Sequence, residues 1–133
     1  MGFPYRDAIK AKEFILEFAK RLQANKELHE GWSRLGMVVG IHLENPKFDF
    51  WIDARGSEMK ITEQNPGQED ASLTLTCELF HKLYTGQENA MMAFIKRAIK
   101  AQGKVTGIMK LTGLMPQAVE VYKSYLQEKG LTP

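Results

Sequence analysis

The fold of this chain is decided by residues 35–54, which read LGMVVGIHLENPKFDFWIDA. Apolar side chains occupy every second position on either side of a short polar break, namely Leu35, Met37, Val39, Ile41 and Leu43, then Phe48, Phe50, Ile52 and Ala54. Such alternation places the apolar side chains on one face of a strand and the polar ones on the other. Because the break Glu44-Asn45-Pro46 has the composition of a turn, the stretch predicts two antiparallel strands with one buried face.

Three more strands follow from the same reasoning. Met59 and Ile61 begin a short third strand after the turn-forming Arg55-Gly56, and residues 71–76 (ASLTLT) alternate in a fourth. Residues 97–103 are predicted to form the fifth. Strands that alternate in this way are half buried, unlike the continuous apolar strands of a parallel sheet that is covered on both faces. We therefore expect strands one to three to form an antiparallel meander in a sheet that is covered on one face.

Helices are predicted before and after these strands. Residues 1–30 repeat apolar side chains at helical spacing behind a capping Asp7, which predicts one amphipathic helix that ends near residues 29–31. Further helices are predicted for residues 78–85, 88–96 and the chain after Gly103, with Pro116 where a last helix can start. The sequence therefore predicts one α+β domain over residues 1–133, with a five-stranded, mainly antiparallel sheet covered by helices on one face.

The composition is that of an ordinary globular protein: 44% of the 133 residues are hydrophobic and 26% are charged. No apolar run approaches the roughly 20 residues that cross a bilayer, and the N-terminal sequence lacks the apolar stretch of a signal peptide. The single cysteine, Cys77, has no partner for an intramolecular disulfide. We therefore expect a cytoplasmic protein.

Charge is distributed unevenly along the chain. Residues 1–88 carry 11 basic and 14 acidic side chains, whereas residues 89–133 carry 7 basic and 2 acidic ones. Between Asn89 and Val119 there is no acidic residue and there are five basic ones, Lys96, Arg97, Lys100, Lys104 and Lys110. This segment is either a solvated lysine face or a surface that attracts an anionic head group or membrane.

The same segment contains the dipeptide Gly103-Lys104, which raises the question of a phosphate-binding loop. Such a loop requires glycine five positions earlier and Ser or Thr after the lysine, but these positions hold Ala98 and Val105. Nucleic-acid binding is also disfavoured, because Phe94 is the one aromatic residue between Asn89 and Val119 and makes no stacking platform by itself. We expect no phosphate loop and no nucleic-acid partner.

No arrangement of residues in the sequence predicts catalysis. Cys77 and His81 are four residues apart, which suits a thiolate–imidazole pair or half of a zinc site, but no second cysteine completes such a site. The alternative is a small buried residue beside an exposed histidine. Asp49 and Asp53 flank Trp51 on the polar face of the second strand, where solvated carboxylates are poorly placed for acid–base work. We expect no metal, no cofactor and no catalytic residue.

Methionines are concentrated in the second half of the chain, at Met91, Met92, Met109 and Met115. Their flexible thioether side chains suit an interior that adapts to apolar molecules of different shape. Methionine at helical spacing is also ordinary core. Composition therefore leaves two alternatives, a binding cavity and a filled core.

Four short motifs follow one another between Asp70 and Leu111. They are the strand DASLTLT at residues 70–76, the helix and turn FHKLYTG at residues 80–86, the pair Ala93-Phe94, and a strand–glycine–helix passage with Ile99-Lys100, Gly103 and Met109-Lys110-Leu111. In this order and spacing they resemble the sterol carrier protein type-2 domain family. The predicted N-terminal helix and meander extend the resemblance over nearly the whole chain.

The resemblance implies a lipid carrier without catalysis in this domain. An apolar tunnel between the sheet and the helices would hold a sterol, fatty acid, acyl-CoA or phospholipid, driven by burial of its apolar surface. The candidate ligand-binding residues are Met37, Val39, Phe48, Phe50, Leu73, Leu75, Phe80, Phe94, Met109 and Met115. A basic rim that faces the head group or a membrane is expected at Lys100, Lys104 and Lys110.

Three features depart from the family pattern. Arg97-Ala98 replaces the Gly-Lys that usually follows the Ala-Phe pair, and Ala101 stands where a larger aliphatic residue is common, which could widen the tunnel locally. The helix after Pro116 is longer than in the animal carriers and could close the tunnel or mediate a homodimer. The alternative to a lipid carrier is an accessory domain that keeps the fold with a filled core and acts through a protein partner.

Overall fold

A computed structural model describes residues 2–133 of the chain. It contains the strands β1 (Val38–Glu44), β2 (Phe48–Asp53), β3 (Lys60–Thr62), β4 (Ala71–Thr76) and β5 (Lys100–Gly103). They form one sheet in the order β3-β2-β1-β4-β5. Strands β1, β2 and β3 make the predicted antiparallel meander, β5 is antiparallel to β4, and the central β1–β4 pair is parallel. The prediction of a five-stranded, mainly antiparallel sheet is confirmed.

The helices are α1 (Ala8–Ala24), α2 (Lys26–Leu35), α3 (Cys77–Tyr84), α4 (Ala90–Ile95), α5 (Val105–Lys110) and α6 (Met115–Glu128), with a turn of 3₁₀-helix over Leu111–Leu114. The α+β class is therefore confirmed. Within residues 2–133, no helix has the length and apolar character that a membrane crossing requires.

The prediction of a single N-terminal helix is wrong at Asn25. The backbone of Asn25 is extended, with φ of −79° and ψ of 122°, and its side chain accepts a hydrogen bond of 3.1 Å from the Leu28 N–H. Asparagine in this conformation ends one helix and caps the next. The positions three and four residues after Leu22 are Asn25 and Lys26, so the apolar spacing is interrupted at the cap, and the prediction extended one helix across this interruption.

The helices pack on the face of the sheet that carries the alternating apolar side chains. Ile41, Phe50 and Leu73 lie side by side on this face, because β1 aligns Ile41 with both of the others. Phe18 of α1 and Tyr122 of α6 are fully buried in the same core, with ring centroids 4.7 Å apart. The core therefore lies between the sheet and the helical layer.

The opposite face of the sheet is partly covered by the segment between β3 and β4. Glu69 in this segment accepts a hydrogen bond of 2.7 Å from Trp51 Nε1 and lies 3.1 Å from His42 Nε2. Glycine at position 40 permits this approach, since a Cβ atom there would lie 2.1 Å from a Glu69 carboxylate oxygen. Val38, which points to this face, is fully buried.

Helix α4 ends in a left-handed turn at Arg97. The N–H groups of Arg97 and Ala98 donate to carbonyls of the last helical turn, which is the Schellman arrangement. Helices α3 and α6 end in the same arrangement, with Gly86 and Gly130 as the left-handed residue. After α4 the left-handed residue is Arg97, with a φ of +60°. The prediction that the fifth strand begins at residue 97 is wrong. The strand begins at Lys100, because Arg97 belongs to this turn.

Candidate functional site

An apolar cavity of about 120 Å³ lies between the sheet and the helices. The strands supply its floor, and the helices and their connections supply its walls. The floor consists of Ile41, Phe50, Ile52, Ile61, Leu73 and Leu75; the walls are Phe18, Ala19, Leu22, Trp32, Met59, Phe80, Leu83, Tyr84, Ala90, Phe94, Ile99, Ile108, Leu111, Thr112 and Met115. The cavity thus occupies the layer in which a tunnel was expected.

No charged side chain from residues 2–133 lines this cavity. The Thr112 hydroxyl donates a hydrogen bond of 2.8 Å to the Met109 carbonyl and so has committed its proton. Burial raises the pKa of Tyr84 to about 12, which keeps its hydroxyl protonated at neutral pH. The cavity can therefore bury hydrocarbon and donate a hydrogen bond, but it offers no partner for an ion.

One side of the cavity adjoins a surface groove between α4 and α6. Four residues line both the cavity and the groove: Leu83, Ala90, Thr112 and Met115. The outer part of the groove is formed by Gly86, Glu88, Asn89, Met91, Pro116, Val119 and Glu120. Within the described part of the chain, this groove has two carboxylates and no basic side chain. It is the candidate mouth of the cavity.

Six of the ten residues predicted to contact a ligand line the cavity: Phe50, Leu73, Leu75, Phe80, Phe94 and Met115. The other four lie outside its wall, with Met37, Val39 and Phe48 in the surrounding core and Met109 half-buried. Alternation identifies the correct face of each strand, but it does not show where along the strand the helices stand away from the sheet. Ligand binding by these residues stays a prediction. Ala101, expected to widen the tunnel, is also outside the wall.

The three lysines of the predicted basic rim do not line the groove. Lys100 faces away from the cavity, because it pairs with Thr74 on the polar face of the sheet. Lys104 is exposed with its Nζ 4.0 Å from the Asp70 carboxylate, and Lys110 is exposed at the end of α5. Charge counting locates the basic segment, but strand pairing decides which face each lysine takes.

Of the wall residues that the helices supply, sequence reasoning named Phe80, Phe94 and Met115 and missed the others. Phe18 and Leu22 follow one another at helical spacing, and so do Phe80 and Tyr84, so that this spacing could have placed each pair on one buried helix face. Trp32 was missed because the predicted helix ended near residues 29–31, whereas α2 continues to Leu35.

Cys77 and His81 do not form a catalytic pair. The Cys77 thiol is buried with Sγ 3.5 Å from the Pro46 carbonyl oxygen, and burial raises its pKa to about 12. His81 Nδ1 lies 2.8 Å from the Tyr122 hydroxyl instead. The expectation of an exposed histidine beside Cys77 is wrong, because α3 packs against α6 and buries His81 completely.

The two aspartates of β2 are held by basic neighbours on the polar face of the sheet. Asp49 lies 2.7 Å from His42 Nδ1. Asp53 accepts hydrogen bonds from the Arg55 guanidinium, which hold the pKa of Asp53 below its ordinary value. Since the polar face is opposite to the cavity, these carboxylates take no part in the candidate site.

The sheet, its helical cover and the uncharged internal cavity define this chain as an α+β protein that encloses apolar volume between two layers. Residues 16–116 match the family model of the SCP-2 sterol transfer family. The chain belongs to this family, as its motifs indicated.

Named relatives agree with this membership. The chain is 30% identical over 94 residues to sterol carrier protein 2 of Arabidopsis thaliana, which covers 67% of this chain and 74% of that protein. The apo form of sterol carrier protein 2 from Yarrowia lipolytica has a similar structure, with a TM-score of 0.60 and 17% identity over 78% of this chain and 88% of that chain. Sterol carrier protein-2 from Aedes aegypti, in complex with the C16 fatty acid palmitate, gives a TM-score of 0.53 and 20% identity over 82% and 96% of the two chains. The two structures show the shared fold.

Proposed function

We propose that this chain binds a lipid in the cavity between sheet and helices, and transfers it without a covalent step. The observation that carries the proposal is an internal cavity lined by apolar side chains and free of charge among the described residues. Membership of the SCP-2 sterol transfer family supports a lipid ligand, as does the palmitate bound to the Aedes aegypti protein. Sterols, fatty acids, acyl-CoA and phospholipids are the classes to consider.

Burial of hydrocarbon supplies the driving force for binding. Each methylene group moved from water into an apolar interior gains about 0.8 kcal/mol, and ordering and association costs offset a large part of this gain. The cavity of about 120 Å³ is smaller than the roughly 150 Å³ cavity that holds benzene, so a long chain requires the wall to move outward. We assign this opening to α4, α5 and the 3₁₀ turn, which are the shortest elements of the wall.

Native mass spectrometry of the purified protein and displacement of the neutral fluorescent probe Nile red test this function. The expected result is one bound lipid or probe per chain, displaced by long-chain lipids. The variant Ala90→Phe narrows the junction of cavity and groove and is expected to lose binding, whereas Ala24→Phe on the exposed end of α1 keeps it. If no lipid is found and no acyl compound or sterol displaces the probe from the wild-type protein, lipid binding is excluded.

We extend the proposal to a non-catalytic, cytoplasmic, single-domain protein. A protonated, buried Cys77 thiol supports the absence of thiol catalysis, and a lone cysteine suits a reducing compartment. The variant Cys77→Ala is expected to keep lipid binding. A reaction of a bound acyl ester that this variant abolishes would contradict the non-catalytic assignment.

Contact with an anionic membrane is proposed at α4. Met92 and Ile95 on this helix are 45% and 64% exposed, and the cations Lys96 and Arg97 follow directly. Apolar side chains next to cations suit the interface of a bilayer with negative surface potential. Phe94, on the other side of the same helix, lines the cavity. Helix α4 would thus contact the bilayer and the ligand at the same time.

A second candidate function, an accessory domain with a filled core, is favoured by the small volume of the cavity. In that case a protein partner, or a second copy of the chain, would cover an exposed surface. Tyr122, Tyr125 and Leu126 of α6 are buried against the chain's own core, so a homodimer through this helix would use its outer side. Sedimentation at micromolar concentration tests for the dimer, and the variant Phe94→Ala separates the two functions.

A further inference from the structure

Helix α4 carries an exposed apolar face that continues into the groove beside it. Met92 and Ile95 are 45% and 64% exposed, and Met91 lines the groove. Ile95 follows Met91 by four residues and Met92 by three, so the three side chains are neighbours on one side of the helix. They form the α4 face. Exposed apolar side chains that adjoin one another in this way mark a contact surface.

Opposite charges lie at the two ends of the α4 face. Glu88 precedes the helix and lines the groove together with Glu120 of α6, and both side chains are exposed. Lys96 and Arg97 follow the helix and are also exposed. Within residues 2–133, none of these four side chains makes an ion pair. The surface therefore has an acidic end, an apolar middle and a basic end, separated by a helix about 9 Å long.

The backbone of Arg97 independently points to a role for its side chain. A φ of +60° costs arginine more than it costs glycine. Residues held in such a conformation are concentrated at functional positions. Since no carboxylate in the described part of the chain pairs with the guanidinium, an acidic group on another molecule is its expected partner.

A second copy of the chain supplies what each end of this surface lacks. In a contact with twofold symmetry, residue i of one protomer meets residue j of its partner, and residue j of the first meets residue i of the second. Two antiparallel α4 helices that cross near Met92 bring the basic end of each protomer to the groove of the other, because Glu88 and Lys96 are each four residues from Met92. The two α4 faces then cover each other between two sets of ion pairs. A membrane complements the apolar middle and the basic end, but not the two glutamates.

We propose that two copies of this chain associate through the α4 face and the groove in an antiparallel, twofold-symmetric dimer. The interface consists of one short helix and one groove on each protomer, so it belongs to the small, transient class. It does not depend on lipid binding in the cavity. Met92 and Ile95 are also the side chains assigned to the membrane, so that a chain makes either the dimer contact or the membrane contact.

Sedimentation-equilibrium ultracentrifugation of the full chain and two charge variants tests the dimer. The wild-type protein is expected to shift from monomer to dimer as its concentration rises through the micromolar range. Lys96→Glu/Arg97→Glu makes both ends of the surface acidic and Glu88→Lys/Glu120→Lys makes both ends basic, so each variant alone should remain a monomer. An equimolar mixture of the two variants restores opposite charges across the interface and should dimerise like the wild type.

Lys100→Glu/Lys110→Glu is the matched control for net charge. It exchanges two exposed lysines that lie outside the surface, changes the net charge as much as Lys96→Glu/Arg97→Glu does, and should leave the dimer intact. Met92→Ser/Ile95→Ser should weaken the dimer about tenfold, because the apolar middle of the interface is lost.

Wild-type protein that remains a monomer over the whole range would overturn the inference, and if that monomer binds phosphatidylserine vesicles through α4, this face belongs to the membrane alone. A dimer that persists in both charge variants would place the contact elsewhere on the molecule and equally contradict the proposal. So would a mixture of the two variants that stays monomeric. None of these results bears on lipid binding, which displacement of Nile red measures separately.

Discussion

Arg97 occupies a backbone conformation that ordinarily belongs to glycine. Its φ is +60°, and a non-glycine residue in the left-handed region is strained by about 1–2 kcal/mol. The position is the one at which the resemblance to the family led us to expect glycine. We therefore expect Arg97→Gly to raise the free energy of unfolding by about 1 kcal/mol, measured by urea denaturation.

Two control variants separate the backbone effect from the charge. Arg97→Ala removes the guanidinium but keeps the strain, so its stability should stay near that of the wild type. Gly130→Arg introduces the same mismatch at the end of α6, where φ is +72°, and should lower the stability by a similar amount. If Arg97→Gly and Arg97→Ala raise the free energy of unfolding equally, the loss of the charge, and not the relief of backbone strain, is responsible for the stabilisation.

Phe94 distinguishes a binding cavity from a filled core. Its side chain lines the cavity and is only half-buried, so Phe94→Ala should lose less than the roughly 3–5 kcal/mol of a fully buried phenylalanine and should weaken lipid binding about tenfold. Phe14 is buried outside the cavity wall, and Phe14→Ala should show the full loss of stability with unchanged affinity. Urea denaturation and probe displacement measure the two quantities. If Phe94→Ala shows the same loss of stability and the same lipid affinity as Phe14→Ala, the result favours the accessory domain with a filled core and contradicts lipid binding in the cavity.

At the scale of elements, the strands were predictable because their signal is local. The period of two assigned the buried face of β1, β2 and β4 correctly, and the turn residues fixed the meander. The parallel partner of β1 was not predicted, since pairing between distant strands leaves no mark in either strand. Alternation also could not show which inward side chains line the cavity, as Phe50 does, and which pack in the surrounding core, as Phe48 does.

The helices were less predictable at their ends and in their spacing from the sheet. The cap at Asn25 divides the predicted single helix in two, and the left-handed turn at Arg97 shortens the fifth strand. The cavity depends on how far α4 and α5 stand from the sheet, which is a property of the packed layers and not of any single segment. Tyr84 belongs to the candidate site because it lines the cavity, and the sequence analysis did not name it.

Helix α4 should carry the membrane contact. We expect Met92→Ser/Ile95→Ser to weaken association with phosphatidylserine-containing vesicles about tenfold, because two exposed apolar side chains no longer reach the interface. Displacement of Nile red by a lipid in solution should not change. Co-sedimentation with vesicles measures the first quantity and fluorescence the second.

The control for this prediction is Ile9→Ser, which removes an equally exposed apolar side chain from α1, where Ile9 is 68% exposed. If α4 is the docking surface, this variant binds vesicles like the wild type. Loss of binding in Ile9→Ser with retention in the α4 variant would move the membrane contact to the N-terminal helix. If the protein binds neutral vesicles as strongly as anionic ones, the charges of Lys96 and Arg97 do not contribute to membrane binding.

At the scale of the whole molecule, His81 makes stability depend on pH. It is fully buried between α3 and α6, and desolvation lowers its pKa below the ordinary 6.5, partly opposed by the Glu78 carboxylate. Below pH 6.5 the unfolded chain therefore binds a proton that the folded chain does not, so the free energy of unfolding falls until the folded-state pKa is reached. Urea denaturation between pH 7.5 and pH 5 should show this decline.

The variant His81→Gln should flatten the pH dependence, because glutamine can still bond to the Tyr122 hydroxyl but does not titrate. His29→Gln removes a histidine that is not buried and should preserve the decline. A decline of unchanged steepness in His81→Gln would assign the pH dependence to other groups.

The parallel pairing of β1 with β4 governs the order in which the sheet is completed during translation. Residue Val39 meets its β2 partner Ile52 across a short hairpin but meets Ala71 of β4 only much later in the chain. At about 5–20 residues per second, the ribosome exposes α1, α2 and the three-stranded meander for about 0.7–3 s before β4 is complete. Helices α1 and α2 can already shield the apolar face, but the edge of β1 is open, and an open apolar edge recruits foreign strands. The nascent meander, with this edge unpaired, is thus prone to aggregation until β4 pairs with β1.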